Sequence, residues 1–280
     1  MADKPLVSVC IPAYNNADTI TETMECVLRQ TYRHIELIVS DDHSSDDTAA
    51  IAEKIAAKDS RVRIYHNEEN LGMAGNWNRC LALCRGEYIR LLCADDLIHR
   101  CLIEREVALM EKNPEALMIS TDTKFINMDG SSAGYYRRYF KKGLTEGREA
   151  ARFSVFTRDY LGAPLANLFR RSAYQQCGGF DPSFSYIIDY DFFMTIACRG
   201  KIYLWHQPYN YFRLRGGSNT SAVMGGGDEK AYIEEHRRLL EKHKKQLGLS
   251  DAEITLSVLI RKVMSRLGRL YLKVFMKRDS

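Results

Sequence analysis

Short apolar runs alternate with segments of helical period through the first half of the chain. The apolar runs predict strands at residues 6–11, 35–40, 62–66, 87–92 and 116–121, the first of them ended by Pro12. Apolar residues spaced three and four apart predict helices at 18–30, 48–57, 76–84 and 100–112, with a turn from Asn70 to Gly75. This alternation is typical of βαβ units, so we expect an α/β fold with a mostly parallel central sheet flanked by helices.

The pattern changes after Asn127, where a Gly- and Ser-containing run precedes an aromatic segment. That segment contains Tyr135, Tyr136, Tyr139 and Phe140 and predicts a hairpin or a loop. A regular pattern of apolar positions resumes near residue 150. It predicts a short strand over 164–170, helices over 171–177 and 189–199, and one or two strands over 202–213. A Gly-rich loop is expected over 216–227, followed by two long helices over 228–247 and 252–277.

The last predicted helix combines an apolar stripe with a strong positive charge. The stripe consists of Ile254, Val258, Leu259, Val263, Leu267, Leu270, Tyr271, Val274 and Phe275. Residues 261–280 contain seven basic residues and one acidic residue, Asp279. Such a helix either lies on an anionic membrane surface or packs its stripe on the rest of the chain or on a second subunit, as in a homodimer.

Composition and charge narrow the class of protein. Hydrophobic residues make up 45% of the 280 residues and charged residues 27%, as in ordinary globular proteins. The formal net charge of +4 is too small to indicate a nucleic-acid partner, and neither G-x-x-x-x-G-K nor G-x-G-x-x-G occurs. The eight cysteines include no C-x-x-C pair, so we expect no zinc site and a reducing compartment. Because there is neither a signal-peptide pattern nor a spanning apolar stretch, we expect a cytoplasmic protein or one at the membrane surface.

Acidic doublets follow two of the predicted strands. Asp41-Asp42 and Asp95-Asp96 are far apart in sequence, yet the carboxyl ends of parallel strands line one crevice, so we expect them to converge. Adjacent carboxylates repel one another, which indicates a Mg²⁺ or Mn²⁺ site shared with substrate phosphates, or else a cap on the helix that follows. Asp46-Asp47 fits a helix cap better. Asp189 opens a predicted helix, where a carboxylate serves either the helix dipole or chemistry.

Six short motifs occur in order over residues 6–218. They are L-V-S-V-C-I-P-A-Y-N at 6–15, I-V-S-D-D-H-S-S-D-D-T at 38–48, Asn70-Leu71-Gly72 with Asn78, Leu92 to Asp96, Gly178 to Asp181 with Asp189-Tyr190-Asp191, and F-R-L-R-G-G-S at 212–218. In this order they resemble the nucleotide-loop, metal-binding and acceptor-side motifs of the inverting family 2 glycosyltransferases, which have the GT-A fold. The resemblance covers most of the chain.

The resemblance implies roles for individual residues. Pro12, Ala13, Tyr14, Asn15, Asp41 and Asn78 would hold the nucleoside of a nucleotide-diphospho-sugar, a UDP-sugar in the first place. Asp95 would reach the ribose or sugar side, Asp96 would coordinate a divalent metal, Mn²⁺ or Mg²⁺, and Asp189 would be the general base. The acceptor would be a hydroxyl of a glycan or of a lipid-linked molecule, in surface polysaccharide biosynthesis at the inner face of the membrane.

The same resemblance suggests a division of the chain into a catalytic domain and a helical extension. Residues 1–225 would form the GT-A domain, with a nucleotide-sugar half to about 125 and an acceptor half over 126–225, and residues 226–280 would form the C-terminal helices. The aromatic segment around Tyr135 would be either an acceptor platform or packing for its own hairpin. Trp77 and Trp205 are expected in the core.

Three positions depart from the family pattern. Cys93 stands where an acidic residue often precedes the aspartate pair, Ile188 replaces the glutamate before the base, and Arg215 replaces a late histidine. Arg213 and Arg215 could grip the diphosphate directly, which would reduce the dependence on metal. Two alternatives stay open: a nucleotidyltransferase, which usually has a basic Gly-rich loop after its first strand, and a noncatalytic module that binds sugar nucleotides.

Overall fold

A computed structural model describes residues 4–136, 141–215 and 228–275 of the chain. Its strands are β1 (Val7–Ala13), β2 (Ile35–Asp41), β3 (Val62–His66), β4 (Tyr88–Leu91), β5 (Leu97–Ile98), β6 (Ala116–Ile126), β7 (Ser132–Tyr136), β8 (Gly143–Glu146), β9 (Asn167–Arg170) and β10 (Lys201–Arg213). Its helices are α1 (Ile20–Leu28), α2 (Thr48–Ala56), α3 (Gly72–Leu83), α4 (Leu102–Lys112), α5 (Gly147–Phe156), α6 (Arg171–Cys177), α7 (Ile188–Ala197), α8 (Glu229–Leu247) and α9 (Asp251–Phe275). A single 3₁₀ turn (Pro164–Ala166) precedes β9.

The strands form one mixed sheet in the order β3-β2-β1-β4-β9-β6-β10-β5. The N-terminal strands β3, β2, β1 and β4 run parallel, and β6 and β10 are parallel to each other. Strand β9 is inserted antiparallel between β4 and β6, and β7 and β8 pair antiparallel with β6 and β10. The predicted α/β fold class is confirmed.

Strands β1 and β2 are buried over their whole length, which explains why their sequences are mostly apolar. Val9 and Ile11 of β1 pack in one hydrophobic layer with α1, α2 and α4. Cys10 points to the opposite layer, which contains α3 and α5 to α9. Because side chains alternate across a strand, helices on both faces of the sheet are needed to cover them.

Several predicted boundaries were wrong, for local reasons. Pro12 lies inside β1, because pairing with β4 ends at Cys10 and the missing N–H of Pro12 therefore interrupts no ladder on that side. The predicted turn from Asn70 to Gly75 is partly helical, since α3 already begins at Gly72. Strand β6 extends five residues beyond its predicted end at 121, to Ile126, and pairs along that extension with β7 and β10.

The second half of the chain contains elements that the pattern did not predict. Strands β5 and β8 and helix α5 were missed, because the two strands are short and α5 has no cap signal. The expected hairpin is confirmed for β6 and β7, whereas Tyr139, Phe140 and the loop over 216–227 lie outside the described residues. The expected strand over 202–213 is a single strand with an irregular register between Trp205 and Asn210.

A buried ion pair lies at the centre of the sheet. Arg90 of β4 donates to the Glu106 carboxylate of α4 and to the carbonyl oxygen of Leu165, and both members of the pair are 0% exposed. The Oε1 atom of Glu106 also accepts from Thr121 Oγ1 at 2.7 Å, and Arg90 donates to Asn210 Oδ1 at 3.2 Å. Burial raises the pKa of Glu106, and the Arg90 guanidinium opposes this shift. The pair thus connects β4, α4, β6, β10 and the 3₁₀ turn.

The C-terminal helices pack on the domain and on each other. Ser257 of α9 donates to the carbonyl oxygen of Val155 in α5 at 2.6 Å, and Nε2 of His236 in α8 lies 3.0 Å from the same hydroxyl. The predicted single apolar stripe on the last helix was wrong. Ile254 and Val258 are buried against the domain, whereas Leu259, Val263 and Leu267 are exposed, because neighbouring positions such as 258 and 259 are about 100° apart on a helix. In the part of the chain described, no helix is both long and apolar enough to cross a bilayer.

We predict that Arg90→Met lowers the free energy of unfolding by about 3–5 kcal/mol, because it leaves the Glu106 carboxylate buried without its partner. The matched control is Arg29→Met, which removes an ion pair whose side chains are 75% and 43% exposed and should cost less than about 1 kcal/mol. Urea unfolding measures both values. Equal losses for the two variants would contradict the prediction.

Candidate active site

A cleft lies at the carboxyl ends of the parallel strands, with a cavity volume of about 760 Å³. Its wall is formed by the ends of β1, β2 and β4, the first turns of α3 and α7, the turn at 162–164, and parts of β6 and β10. Seven predicted site residues line it: Pro12, Ala13, Tyr14, Asp95, Asp96, Asp189 and Arg215. The other four, Asn15, Asp41, Asn78 and Arg213, make contacts elsewhere.

Of the first acidic doublet, Asp42 lines the cleft, and Asp41 does not. Asp42 Oδ1 accepts hydrogen bonds from Asn67 Nδ2 at 2.6 Å and from the backbone N–H of Leu71 at 2.8 Å. Asp41 accepts from the backbone N–H of Ser44 at 3.2 Å, and its carboxylate lies 3.9 Å from His66. Neighbouring residues of an extended chain point in opposite directions, so only one member of the doublet can face the cleft.

In the loop after β1, too, the residue that lines the cleft is the one that follows the predicted residue. Asn15 has a left-handed φ of 51°, and its Oδ1 atom accepts from the backbone N–H of Ser45 at 2.9 Å. It therefore joins the two loops that follow β1 and β2. Its neighbour Asn16 lines the cleft beside Tyr14, and Asn16 Oδ1 accepts from the Tyr14 backbone N–H at 3.0 Å.

Asn78 is bound to the backbone of a distant segment. Its Nδ2 donates to the carbonyl oxygen of Phe180 at 2.8 Å, and its Oδ1 accepts from the Phe180 N–H at 2.7 Å. The residue of α3 that lines the cleft is Asn76, which also donates to the carbonyl oxygen of Ser40 at 3.0 Å. Residues two apart on a helix lie about 200° apart, so Asn76 and Asn78 face opposite sides.

Both members of the second acidic doublet line the cleft, whereas the two arginines differ from each other. Arg213 is 4% exposed and joins three segments, donating to the carbonyl oxygens of Asp95 and Met128 and to the Glu22 carboxylate. Its own backbone N–H donates to Asp96 Oδ1 at 3.1 Å. Arg215 lines the cleft, with its Nε 2.9 Å from Asp95 Oδ2. Of these two arginines, Arg215 is therefore the one that lies in the cleft wall.

The donor set at Asp95 and Asp96 fits a hard divalent cation. Burial raises the pKa of both carboxyls, and for Asp96 the neighbouring Asp95 adds to the shift, so a cation between them would be stabilising. Burial also raises the pKa of the Cys93 thiol, which stays neutral and is a poor ligand for such a cation. The described residues contain no cluster of three His, Cys, Asp or Glu arranged to hold a metal. Two carboxylates suffice for Mg²⁺ or Mn²⁺ when phosphate oxygens and water complete the coordination.

Asp189 is held at the start of α7 by backbone N–H groups. Its Oδ2 accepts from the N–H of Ala163 at 2.8 Å, and its Oδ1 accepts from the N–H of Tyr190 at 2.8 Å. Ala163 has a φ of 58°, a strained left-handed value for a residue with a side chain, and it precedes Pro164. The Ile188 side chain, at the position of the family glutamate, is buried. Backbone donors thus fix the orientation of the Asp189 carboxylate.

Helix α8 contributes to the site, which the sequence pattern did not indicate. Glu235 accepts from three successive backbone N–H groups just before α7, those of Ser185 and Tyr186 at 2.8 Å and of Ile187 at 3.2 Å. A carboxylate from another helix thus satisfies donors at the N-terminus of α7. The evenly mixed charges of α8 gave no signal that one of them would be buried in this way.

A second contact between α8 and α7 lies about two turns further along α8 and at the first turn of α7. Asp191 and His243 are each 2% exposed, and His243 Nε2 lies 2.9 Å from Asp191 Oδ1. Lys242 donates to the other Asp191 oxygen at 2.7 Å and to Asp181 at 2.8 Å. Tyr232, at the start of the same helix, lines the cleft.

Aromatic side chains line the half of the cleft nearest β6, β7 and β10. Phe125, Tyr136 and Phe212 belong to this set, and Phe125 and Phe212 pack edge to face at 5.7 Å between ring centres. Trp77 is partly buried and packs against the core as expected, with its ring centre 4.9 Å from that of Phe180, and it also lines the cleft. The partly buried Trp205 packs against the core as expected.

Comparison with known proteins gives a family match and curated relatives. The family model described as Glycosyl transferase family 2 matches residues 8–178. The UDP-Glc:alpha-D-GlcNAc-diphosphoundecaprenol beta-1,3-glucosyltransferase WfaP of Escherichia coli is 40% identical over 131 residues, which cover 47% of this chain and 51% of that protein. Among the most similar curated relatives, the chain spans between 21% and 72% of the relative's own length.

Two solved structures share the fold. S. aureus TarS in complex with UDP-GlcNAc superposes with a TM-score of 0.69 at 20% identity, over 91% of this chain and 70% of that one. The mannosyltransferase PcManGT of Pyrobaculum calidifontis, in complex with GDP-Man and Mn²⁺, gives a TM-score of 0.66 at 17% identity, over 98% and 76%. The predicted GT-A fold is confirmed.

The contact between Lys242 and Asp181 predicts a pH effect. The hydrogen bond from Lys242 lowers the pKa of Asp181 to about 2, so in Lys242→Ala this pKa should rise toward its ordinary value of about 4. The stabilisation from Lys242 is present above the unfolded pKa and is lost as the pH falls through the folded one, so the stability difference between the two proteins should shrink between about pH 4 and pH 2. Carboxyl NMR titration measures the pKa, and Lys244→Ala, which removes an exposed ion pair with Asp251, is the control. An unchanged Asp181 pKa in Lys242→Ala would refute the assignment.

Proposed function

The chain belongs to glycosyl transferase family 2, and from this membership we propose that it transfers a sugar from a nucleotide-diphospho-sugar to a hydroxyl group, with inversion at the anomeric carbon. The observation that carries the proposal is the position of Asp189, a carboxylate oriented by two backbone N–H groups in the same cleft as Asp95 and Asp96. A base and a group that can neutralise a leaving diphosphate are the two chemical requirements of a single displacement.

We assign the nucleoside side of the cleft to the end of β1 and to Asp42. Tyr14 is half exposed beside Asp42, where its ring can pack on a base while the carboxylate accepts a ring N–H. Asn76 offers a second polar contact from α3. A UDP-sugar is the proposed donor, because WfaP is named for UDP-Glc and TarS was solved with UDP-GlcNAc.

Asp95 and Asp96 are proposed to hold a divalent cation, Mn²⁺ or Mg²⁺. When bound, the cation would neutralise charge on the diphosphate as the bond to the sugar breaks. Arg215 can share this role, because a guanidinium binds phosphate oxygens through two parallel hydrogen bonds. The Mn²⁺ complex of PcManGT supports a metal in this fold.

In the proposed reaction, Asp189 takes the proton of the acceptor hydroxyl. The acceptor oxygen forms a bond to the anomeric carbon while the bond from that carbon to the diphosphate oxygen breaks, and the nucleoside diphosphate leaves with the electron pair. The Ala163 and Tyr190 N–H groups hold the carboxylate in place. Because attack and departure occur on opposite faces of the sugar, the configuration inverts.

We propose a glycan or a lipid-linked molecule as the acceptor. The reaction would then belong to surface polysaccharide biosynthesis at the inner membrane face, and two observations support this. Aromatic residues that line the cleft, among them Tyr136 and Trp77, offer flat apolar faces on which a sugar ring can stack. WfaP, the relative that is 40% identical, is named for a diphosphoundecaprenol acceptor.

Replacement of the proposed base tests catalysis against binding alone. Asp189→Asn should lower kcat by about 10²–10⁴-fold, since a neutral amide cannot take the proton, while UDP affinity stays within a few-fold of the parent protein. Turnover of UDP-sugar to UDP and calorimetric titration with UDP measure the two effects. The control is Asp181→Asn, a nearby carboxylate outside the cleft wall, which should keep its turnover. Full turnover in Asp189→Asn would remove Asp189 as the base, and a chain that binds UDP but never turns over any UDP-sugar would favour the noncatalytic module.

The paired variants Asp42→Asn and Asp41→Asn test which of the two carboxylates binds the nucleobase of the donor. Loss of a charged acceptor costs about 1.5–3 kcal/mol, so Asp42→Asn should weaken UDP binding by about 10–100-fold. Asp41→Asn should change it only a few-fold, because Asp41 contacts Ser44 rather than the cleft. Calorimetry with UDP measures both, and the reverse order of the two effects would return the role to Asp41.

A further inference from the structure

Helix α9 has a buried inner face and an exposed apolar outer face. Ile254, Ser257, Val258 and Arg261 form the inner face and are buried against the domain. The outer face is formed by Leu256, Leu259, Val263, Met264 and Leu267, whose exposed fractions lie between 46% and 59%. These five are half of the large hydrophobic residues that are exposed in the described part of the chain. Such a concentration on one helix marks an interaction surface.

After its first turn, which contains Asp251 and Glu253, helix α9 has only basic charged residues in its sequence. They are Arg261, Lys262, Arg266, Arg269 and Lys273, and the next acidic residue along the sequence is Asp279, after the helix. Lys262 and Arg266 are exposed, and the helical spacing places both on the same flank of the outer face. Leu270 and Val274 continue the spacing of the apolar residues in the sequence.

The inner face fixes α9 next to the proposed acceptor half of the cleft. Ser257 is bonded to Val155 of α5, and Glu253 pairs with Arg152 of the same helix. Arg261 is 6% exposed, and its guanidinium is close enough to Tyr190 and Tyr232, which line the cleft, to interact with them electrostatically. Binding through the outer face of α9 would therefore hold the cleft at a fixed position relative to the binding partner.

We propose that the outer face of α9 binds an anionic lipid bilayer, with the helix lying along its surface. The five apolar side chains would enter the boundary between headgroups and acyl chains, and Lys262 and Arg266 would contact lipid phosphates beside them. A second copy of the chain is the less suitable occupant, because two such helices would bring like charges together in one interface. An anionic bilayer instead supplies the complementary charge.

The test is flotation of the full chain with vesicles, without any nucleotide, so that its outcome is independent of the proposed reaction. Vesicles of phosphatidylcholine are compared with vesicles that also contain phosphatidylglycerol. The variant Leu259→Glu/Val263→Glu places charge on the outer face, where both side chains are exposed and the fold should be unaffected. Lys262→Gln/Arg266→Gln removes the two exposed cations, and Lys244→Gln/Lys245→Gln is the control for net charge on α8.

We expect binding to the phosphatidylglycerol vesicles only, reduced at least tenfold in Leu259→Glu/Val263→Glu and about tenfold or more in Lys262→Gln/Arg266→Gln, since each cation near an anionic surface contributes measurably. The control should bind as the parent chain does. Absence of vesicle binding by the parent chain would overturn the proposal, as would equal binding by all variants. So would a parent dimer that Leu259→Glu/Val263→Glu converts to a monomer in sedimentation analysis, because the outer face would then be a subunit interface. Circular dichroism shows whether each variant keeps its fold.

Discussion

A charge buried at the centre of the sheet constrains the rest of the structure. Arg90 is fully buried in β4, so its guanidinium must find acceptors inside the protein, and it finds them in Glu106 and in the carbonyl oxygen of Leu165. Those partners belong to α4 and to the 3₁₀ turn, and the same turn begins after Ala163, whose N–H orients Asp189. Strand β4 leads directly to Asp95 and Asp96. The contacts of Arg90 thus connect two segments that both line the cleft.

The helices after residue 228 make contacts around the candidate site. Glu235 satisfies the backbone donors that precede Asp189, and His243 and Lys242 hold Asp191 two residues further along. Tyr232 forms part of the wall itself. The division of the chain at residue 225 stays a prediction. Residues from both sides of that position pack in one hydrophobic layer. The family model ends at residue 178, so these contacts lie outside what it describes.

The sequence was informative about elements and about which strand ends meet, and less so about which side chain faces the cleft. The strands at 35–40, 62–66 and 87–92 and the convergence of the two acidic doublets followed from periodicity and from the geometry of parallel sheets. The choices between Asp41 and Asp42, Asn76 and Asn78, and Arg213 and Arg215 depend on the phase of a strand or helix and on distant partners such as Phe180 and Glu22. A motif locates such a pair without orienting it. The partners are set by tertiary packing, which no local pattern contains.

The contacts of α8 also have a consequence for the order of assembly during synthesis. A ribosome releases the chain from its N-terminus, and domains fold as their segments emerge. The strands, the acidic doublets and Asp189 itself are all translated before Glu235 and His243. Until those two residues have emerged, the turn before Asp189 has no carboxylate acceptor and Asp191 lacks its partners. The nascent chain therefore acquires the geometry around Asp189 only after α8 has emerged, shortly before α9, the helix that we propose to contact lipid.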